Sequence, residues 1–532
     1  MTQVTSSGWA GAVSAPLRQL NYSLSIAFSL ATASGINYFT VGTSTIGGPD
    51  IIKSGGGTVA FFDQYAYTDY SKYVMSLNVN RSIGQFPFGA YIAQADIELD
   101  NSSLLFLPGH DATIGSGILP NRPFKIGIGL FGEYMNQFVG FAGQPDQDIV
   151  NRVATFHAFD AMSSINGFMS TASGSKVNMY STDIMASLLG EMGFGVGQYV
   201  MDSSLQTPIG YAATYGLMAG DIIQSLCEAE QGLGFIDENG IFRFWNRQHF
   251  TTTSGIAAFA LTYKHVADIQ YENTGIINDV TVTANPRAVQ ANQKVWELTG
   301  TITLLPGQST LYIVDFSDDD GAMPVTNVDT PVPTLGSATS YYGANTALDG
   351  SGSDVSSSVY IQSAYSYGNQ YWITFYNPTA STYYVTQMGL WATAAKVTVH
   401  IVQQYYDQAS ITAYGRNPAN NGATLPIAND FIQDSSAANS LARTLVYEYK
   451  DPKKRFTVPV ANGSNPALQI GDYGTLTIED TGEVKQVWIV GRGEQIDRSG
   501  SYTQTLELEE RSIQNYFTIG SSTIGGNDSI AP

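Results

Sequence analysis

The chain has 532 residues, too many for a single hydrophobic core, and this length predicts roughly three or four domains. It is rich in glycine, tyrosine and phenylalanine and only 13% charged, a composition typical of β-strands joined by tight turns. The formal charge of −21, with no compensating block of Lys or Arg, argues against extended phosphate binding, and the single cysteine, Cys227, excludes an internal disulfide and any multi-cysteine metal site.

A short cassette occurs near both ends of the chain. NYFTVGTSTIGGPD, residues 37–50, returns as NYFTIGSSTIGGND at residues 515–528, with eleven of fourteen positions identical. We assign residues 1–52 to an N-terminal strand or arm and residues 515–532 to a C-terminal arm. Each copy either caps an equivalent edge of two related barrels or is a detachable strand that pairs with a neighbouring subunit. The candidate assembly residues are Tyr38, Phe39, Val41, Ile46, Tyr516, Phe517, Ile519 and Ile524.

Residues 53–160 are predicted to form a first small β-barrel. YVMSLNVNR (73–81) and GAYIAQADIELDN (89–101) alternate between apolar and polar residues, and FKIGIGLF and NQFVGFAG follow a loop with Gly and Pro. Short antiparallel strands with such punctuation are typical of small barrels and sandwiches.

Residues 161–250 are predicted to form a compact α+β unit. Two helices, 181–194 and 219–232, precede a hairpin whose Asn239-Gly240 pair is favoured in type I′ turns. The apolar stripe of the second helix consists of Ile222, Ile223, Leu226 and Cys227. Cys227 is therefore interpreted as a small buried hydrophobe.

Residues 297–400 are predicted to form an inserted β-sandwich, because strand signals recur at short intervals with no helical period between them. Its aromatic side chains could stack on sugar rings, although a sandwich core explains at least half of them. These candidates are Tyr371, Trp372, Tyr376, Tyr383, Tyr384 and Trp391. The consecutive carboxylates of Asp318, Asp319 and Asp320 suit either a Ca²⁺ ion or a solvated acidic turn.

A second, discontinuous β-barrel is assigned to residues 251–296 and 401–514. Residues 434–452 form its predicted helix, which begins at the N-cap Asp434 and ends at Asp451-Pro452. One face of this helix carries Leu441, Leu445 and Tyr449. Four strands of a closing antiparallel sheet follow. The fold class is therefore mainly β and multidomain, with two barrels, a helix-plus-hairpin unit and an inserted sandwich.

The residues that usually build active sites are scattered. The chain has no His-Glu-x-x-His and no Gly-x-Ser-x-Gly motif, and its five histidines are far apart in sequence. Glu228 and Glu230 are two residues apart on a predicted helix, so we interpret them as an exposed face rather than as a glycosidase pair. We therefore predict no enzyme activity and no cofactor. No apolar run reaches the about 20 residues that span a bilayer, so no transmembrane segment is predicted.

The order of motifs resembles that of tailed-bacteriophage minor tail proteins of the tail-tip or baseplate hub type. The resemblance covers most of residues 70–512. It is carried by YVMSLNVNR, GAYIAQADIELDN, ILPNRPFKIGI, DIIQSLCEAEQGLGFIDENGIFRFWNR, IINDVTVTANP, DQASITAYGR, the helix from Asp434, LQIGDYGTL and TLELEE. The closest match is a helix that runs into the hairpin pattern D-E-x-G-x-x-x-F-x-x-R.

This resemblance implies that both barrels are related to the tail-tube fold and that a homotrimer caps the tube as a pseudo-six-fold ring. The implied partners are the tail tube, distal tail proteins and tip or fibre proteins. The protein would be made in the host cytoplasm and act at the tail tip of the virion. DNA would pass through the lumen without sequence-specific binding, which suits an acidic wall. The alternative function is a glycan-binding adhesin of the tail tip that attaches to the host surface.

Overall fold

The computed structural model confirms a mainly β, multidomain protein. The structure describes residues 3, 5–7, 9, 13, 20–28, 65–83, 88–130, 132–195, 197–203, 208–249, 257–265, 269–273, 275–319, 321–333, 339–460, 464–499 and 501–510. Both copies of the cassette, with all eight candidate assembly residues, lie outside the described residues, as does Asp320. Among the helices that are described, none is both long and apolar enough to cross a membrane.

The first β unit is an antiparallel sheet that packs around its own core. Its strands are β1 (Leu20–Ile26), β2 (Thr68–Asp69), β3 (Val74–Ser82), β5 (Gln94–Asp100), β6 (Arg122–Leu130), β7 (Glu133–Ala142), β8 (Asp146–Asp148) and β9 (Val153–Phe159). The short strand β4 (Gly89–Tyr91) lies between β3 and β5 in the chain but pairs with another sheet. Neighbouring strands run in the order β3-β5-β9-β7-β6-β1-β2, and β8 also pairs with β9. In β3, β5 and β9, alternate residues such as Leu77, Ile97 and Phe156 point into the core, as period-two patterning requires.

The stretch 89–101, predicted as one strand, is divided in two. The Asp160 carboxylate accepts the N–H of Ala93 at 2.8 Å, and Asp160 N–H donates to the Ala93 carbonyl. The residues before Ala93 form β4, which leaves the first sheet, and the residues after it form β5. These two hydrogen bonds between Asp160 and Ala93 cannot be inferred from the alternating pattern.

The α+β unit forms a separate layer beside the first sheet. It contains α1 (Ala161–Asn166), β10 (Lys176–Met179), α2 (Ser181–Glu191), β11 (Tyr199–Met201), β12 (Ile209–Ala212), α3 (Ala219–Glu230), β13 (Leu233–Ile236) and β14 (Phe242–Trp245). The strand order β11-β14-β13-β4 shows that β4 joins this unit to the preceding one. The predicted stripe of α3 is buried as expected, and Cys227 lies in the core. Burial raises the pKa of the Cys227 thiol, consistent with its interpretation as a packed hydrophobe.

Helix α3 ends at Glu230, two residues before the predicted end at residue 232. Gln231, with φ +50°, is the residue in the left-handed conformation. Gly232 is needed for space instead, because a Cβ there would lie 2.5 Å from the Phe244 ring.

The predicted sandwich is confirmed. Three strands that pair with other sheets precede it, β15 (Phe259–Tyr263), β16 (Gln270–Asn273) and β17 (Asp279–Ala284). The sandwich region contains β18 (Arg287–Glu297), β19 (Ile302–Leu304), β20 (Ser309–Asp315), β21 (Ser317–Asp318), β22 (Gly321–Ala322), β23 (Val325–Thr326), β24 (Tyr341–Asn345), β25 (Tyr360–Ser366), β26 (Gln370–Tyr376) and β27 (Tyr383–Val397). One sheet is built on β27, which pairs with β18, β19, β23 and β24, and the other has the order β20-β26-β25. Side chains from both sheets, including Val314, Phe375 and Leu390, meet in one core.

The remaining elements form two further layers. They are β28 (Ile401–Tyr406), α4 (Gln408–Tyr414), β29 (Leu425–Ala428), α5 (Ser435–Tyr449), β30 (Lys454–Val460), β31 (Tyr473–Ile478), β32 (Glu483–Ile496) and β33 (Tyr502–Glu510). The helix α5 packs on the small sheet β28-β17-β29 through Leu441 and Leu445, with Asp434 accepting two backbone N–H groups at its start. The strands β30–β33, together with β15 and β16, surround another core.

The two large β units are joined by direct strand pairing. β3 of the first unit runs antiparallel to β32 of the last, from Leu77 opposite Ile496 to Ser82 opposite Gly491. Among the described residues, this pairing merges the strands of both units into one fourteen-stranded sheet. The line where β3 meets β32 is called the seam below.

Candidate functional site

Two arginines face each other across the seam. Arg81 on β3 is the direct cross-strand partner of Arg492 on β32, and their side chains are only 3% and 0% exposed. Two like charges directly opposite each other destabilise a sheet, and a buried charge is costly unless it is paired. The seam therefore depends on the groups that surround these two guanidinium groups.

Arg492 is compensated from within its own β unit. Its Nε donates to Glu494 Oε1 at 2.9 Å, its Nη2 lies close to the same carboxylate, and Nη1 and Nη2 donate to the carbonyls of Leu468 and Pro466. Glu494 also accepts the Tyr502 hydroxyl and, at 3.0 Å, the Gln504 amide. Burial and the neighbouring Glu494 charge raise the pKa of Tyr502 well above its usual range, so Tyr502 stays a hydrogen-bond donor at neutral pH.

Arg81 is compensated by a different part of the chain. Its Nη1 donates to Gln469 Oε1 at 2.8 Å, and its Nη2 lies 3.3 Å from Glu238 Oε2. Burial lowers the pKa of Arg81, while the Glu238 carboxylate acts in the opposite direction. Glu238 belongs to the hairpin between β13 and β14, so this ion pair ties the α+β unit to the seam.

The hairpin that carries Glu238 is organised by the residue before it. The Asp237 carboxylate accepts the N–H groups of Asn239 and Ile241, both at 2.9 Å, and the Nε of Arg243 at 2.8 Å. The hairpin was predicted correctly, but its turn type was not. Only Gly240 has positive φ, whereas a type I′ turn needs two such residues, so the loop is a turn followed by one left-handed glycine.

Arg247, the last residue of the hairpin pattern D-E-x-G-x-x-x-F-x-x-R, compensates the charge of another buried carboxylate. Glu230 is fully buried, its Oε1 accepts the Ser181 hydroxyl at 2.5 Å, and its Oε2 lies 3.8 Å from Arg247 Nη1. The interpretation of Glu230 as exposed was therefore wrong, because Ser181 and Arg247 compensate the carboxylate in the interior. The motif residues Glu238 and Arg247 thus both neutralise buried charges at the contacts between elements.

One residue of the predicted acidic triplet, Asp318, takes part in a structural ion pair. Asp318 accepts from Arg287 Nη1 at 2.8 Å, and Arg287 also lies 3.8 Å from Asp430. In the described part of the chain, no group of three or more potential metal-ligating side chains is assembled.

The six aromatic stacking candidates do not form one surface. Tyr371 and Tyr383 pack into the sandwich core. Trp372 and Tyr376 lie on the outer face of β26, since strand residues alternate between faces and their neighbours Ile373 and Phe375 are buried.

The other two candidates lie on the opposite side of the sandwich. Tyr384 and Trp391 project from the outer face of β27, where Trp391 contacts the ring of Tyr341 at 5.8 Å and the ammonium of Lys294 at 5.6 Å. Because the two sheets share one core, these residues and the pair on β26 point in opposite directions. The alternation of strand residues places Tyr371 and Trp372 on opposite faces of β26. Only the position of the second sheet shows which of these two faces is buried.

Comparison with known proteins finds phage tail proteins among similar solved structures. The 43 kDa tail protein of prophage MuSo2 from Shewanella oneidensis matches with a TM-score of 0.41 and 11% identity, over 83% of this chain and 95% of that one. The tail protein from Neisseria meningitidis MC58 matches with a TM-score of 0.41 and 8% identity, over 83% and 93%. A prophage tail protein from Listeria monocytogenes EGD-e matches with a TM-score of 0.40 and 10% identity, over 85% and 94%. No protein-family model matches the chain, and no curated protein does.

Proposed function

We propose that this chain is a structural subunit of the tail tip of a tailed bacteriophage, a hub that caps the tail tube as a homotrimeric ring. In this role it holds tip proteins and allows DNA to pass, without catalytic turnover. The observation that carries the proposal is the seam, where β3 and β32 join two β units of one chain into a continuous sheet. Each chain presents two β units, so three copies of the chain supply six β units. This number supports a ring with pseudo-six-fold symmetry.

The compensated charges of the seam suit a rigid structural subunit. A shift of β3 along β32 would break the buried hydrogen bond from Arg81 to Gln469, which links the two β units. The Arg81–Glu238 pair adds the α+β unit to the same rigid body. This arrangement supports a subunit that keeps two sheets in fixed register while its neighbours attach at other surfaces.

The charge of the chain also supports the proposal. Lys and Arg total 24 against 45 Asp and Glu, which gives a net charge of −21. Cationic walls would bind DNA phosphates and release counterions, whereas an acidic wall repels them. An acidic subunit is therefore compatible with a conduit through which DNA must slide.

The test is the assembly state of the purified chain. Mass photometry is expected to show a species of three times the 57.2 kDa chain mass, and negative-stain microscopy is expected to show a ring with a central channel. A particle that remains at the single-chain mass at every concentration, or a trimer without a channel, would contradict the hub. Labelling the subunit in intact virions, with the label expected at the tail tip, tests its location independently.

A further inference from the structure

The outer face of the sheet β20-β26-β25 exposes several large apolar side chains. Leu311 and Ile313 on β20 are 51% and 42% exposed, and Tyr360 and Tyr365 on β25 are 50% and 59% exposed. Trp372 of β26 lies between these edge strands. Apolar side chains contiguous on an exposed surface usually mark an interaction site. These residues share one face because three paired strands present them on the same side.

Strand register places the aromatic side chains in two rows. Ile313, Trp372 and Tyr365 are aligned across the three strands, and Ser309, Tyr376 and Tyr360 form the second row. Four residues of β26 separate the rows, which corresponds to about 13 Å. In the second row the rings of Tyr360 and Tyr376 lie 5.3 Å apart and are inclined by 60°, and in the first row the Trp372 ring lies 5.2 Å from that of Tyr367, so aromatic rings cluster in both rows.

The face carries little charge for a strongly acidic protein. β25 and β26 contain no charged residue, and β20 contains one, Asp315, at its end. Polar contacts come from neutral groups, such as the Gln362 amide that accepts the Ser309 hydroxyl at 2.7 Å. A face whose single charge, Asp315, lies at one end, on a chain of −21, suits an uncharged partner.

The size of the face argues against a second protein subunit. Three strands of seven residues cover about 330 Å², from a strand spacing of about 4.8 Å and a rise of about 3.3 Å per residue. A stable protein interface needs about 800 Å² from each partner. The face therefore suits a small, flat ligand better than a second copy of the chain.

We infer that this face binds an uncharged oligosaccharide. The apolar C–H faces of pyranose rings would stack on the exposed Tyr365 beside Trp372 in one row and on the exposed Tyr360 beside Tyr376 in the other, and sugar hydroxyls would hydrogen-bond to the tyrosine hydroxyls and to Gln362. The inference does not depend on the hub proposal, since it concerns only the insert. It replaces the six aromatic candidates with one face that includes two of them and adds Tyr360 and Tyr365.

The test is a printed array of neutral and anionic oligosaccharides probed with the full chain. Wild-type protein is expected to bind neutral glycans, with a signal that does not change when salt is raised. The double variant Tyr360→Ser/Tyr365→Ser is expected to lose at least tenfold in binding. The matched control is Tyr406→Ser, since Tyr406 is 51% exposed on β28, outside this face. All three proteins should melt at similar temperatures because the substituted side chains are on the surface.

Three results would overturn the inference. The first is that wild-type protein retains no neutral glycan on the array. The second is that Tyr406→Ser loses as much binding as the double variant. The third is that the double variant binds glycans normally but changes the oligomeric mass, which would identify the face as a protein contact. None of these outcomes is the same as failure to form a ring, so the two proposals can fail separately.

Discussion

Replacing Glu238 by glutamine removes the charge that faces Arg81 while keeping the size of the side chain. In the native protein Arg81 Nη2 lies 3.3 Å from Glu238 Oε2, and both side chains are buried. Arg492, which is also cationic, lies directly opposite Arg81 on β32. Without the Glu238 charge, Arg81 keeps a neutral partner, Gln469, but no compensating carboxylate in contact. We therefore expect Glu238→Gln to destabilise the seam.

The size of the effect follows from the geometry. Two unit charges at this 3.3 Å separation attract by about 5 kcal/mol at an effective dielectric constant of about 20. Removal of one partner of a buried pair typically costs about 3–5 kcal/mol. With a urea slope of about 3 kcal/mol per molar, this cost corresponds to a fall of about 1 M or more in the unfolding midpoint.

The assay is urea unfolding followed by tryptophan fluorescence. The matched control is Glu483→Gln, because Lys454 and Glu483 are also 3.3 Å apart but are about one-third exposed, so its cost should not exceed about 1 kcal/mol. Hydrogen exchange should show reduced protection in β3 and β32 of Glu238→Gln but not in α5. The variant Arg81→Met/Glu238→Met should recover at least half of the lost stability, since it leaves no buried charge unpaired.

Equal shifts for Glu238→Gln and Glu483→Gln would refute the reasoning, because burial would then make no difference to the value of the pair. The same conclusion would follow if the double methionine variant were less stable than Glu238→Gln. In that case hydrogen bonding or packing, and not the unpaired charge, would account for the loss.

Three further predictions concern other parts of the molecule. Asp434→Ala removes the N-cap of α5 and should cost about 1 kcal/mol in urea unfolding; an unchanged midpoint would contradict the capping role. Gly471→Ala should cost at least about 2 kcal/mol in the same assay, because Gly471 has φ +86° and a Cβ there would lie 2.4 Å from the Trp245 ring; a neutral effect would show that the ring can move. The Nδ1 of His157 lies 2.6 Å from Asp96, and this hydrogen bond raises the pKa of the histidine. Its contribution to stability is therefore complete below about pH 6.5 and is lost as the pH rises through the pKa of His157 in the folded state. Histidine NMR titration should show this pKa falling in Asp96→Asn, and an unchanged value would disprove the assignment.

Local features of this protein were determined by the sequence itself. The buried stripe around Cys227 and the start of α5 at Asp434 follow from helical period and capping chemistry. The hairpin at Gly240 follows from turn chemistry, and the sandwich follows from recurring short strands. Each of these signals depends on residues a few positions apart, so the chain carries it in a short stretch.

The tertiary structure alone decided how these pieces meet. The pairing of Arg81 with Glu238, and of β3 with β32, joins residues far apart in sequence, and no local period specifies such partners. The burial of Glu230 was wrongly predicted for the same reason, since Ser181 and Arg247 reach it from other elements. The exposed face around Trp372 likewise depends on which side of β26 the second sheet covers. Burial and charge compensation are properties of the assembled layers, and they are settled only when distant strands and helices come into contact.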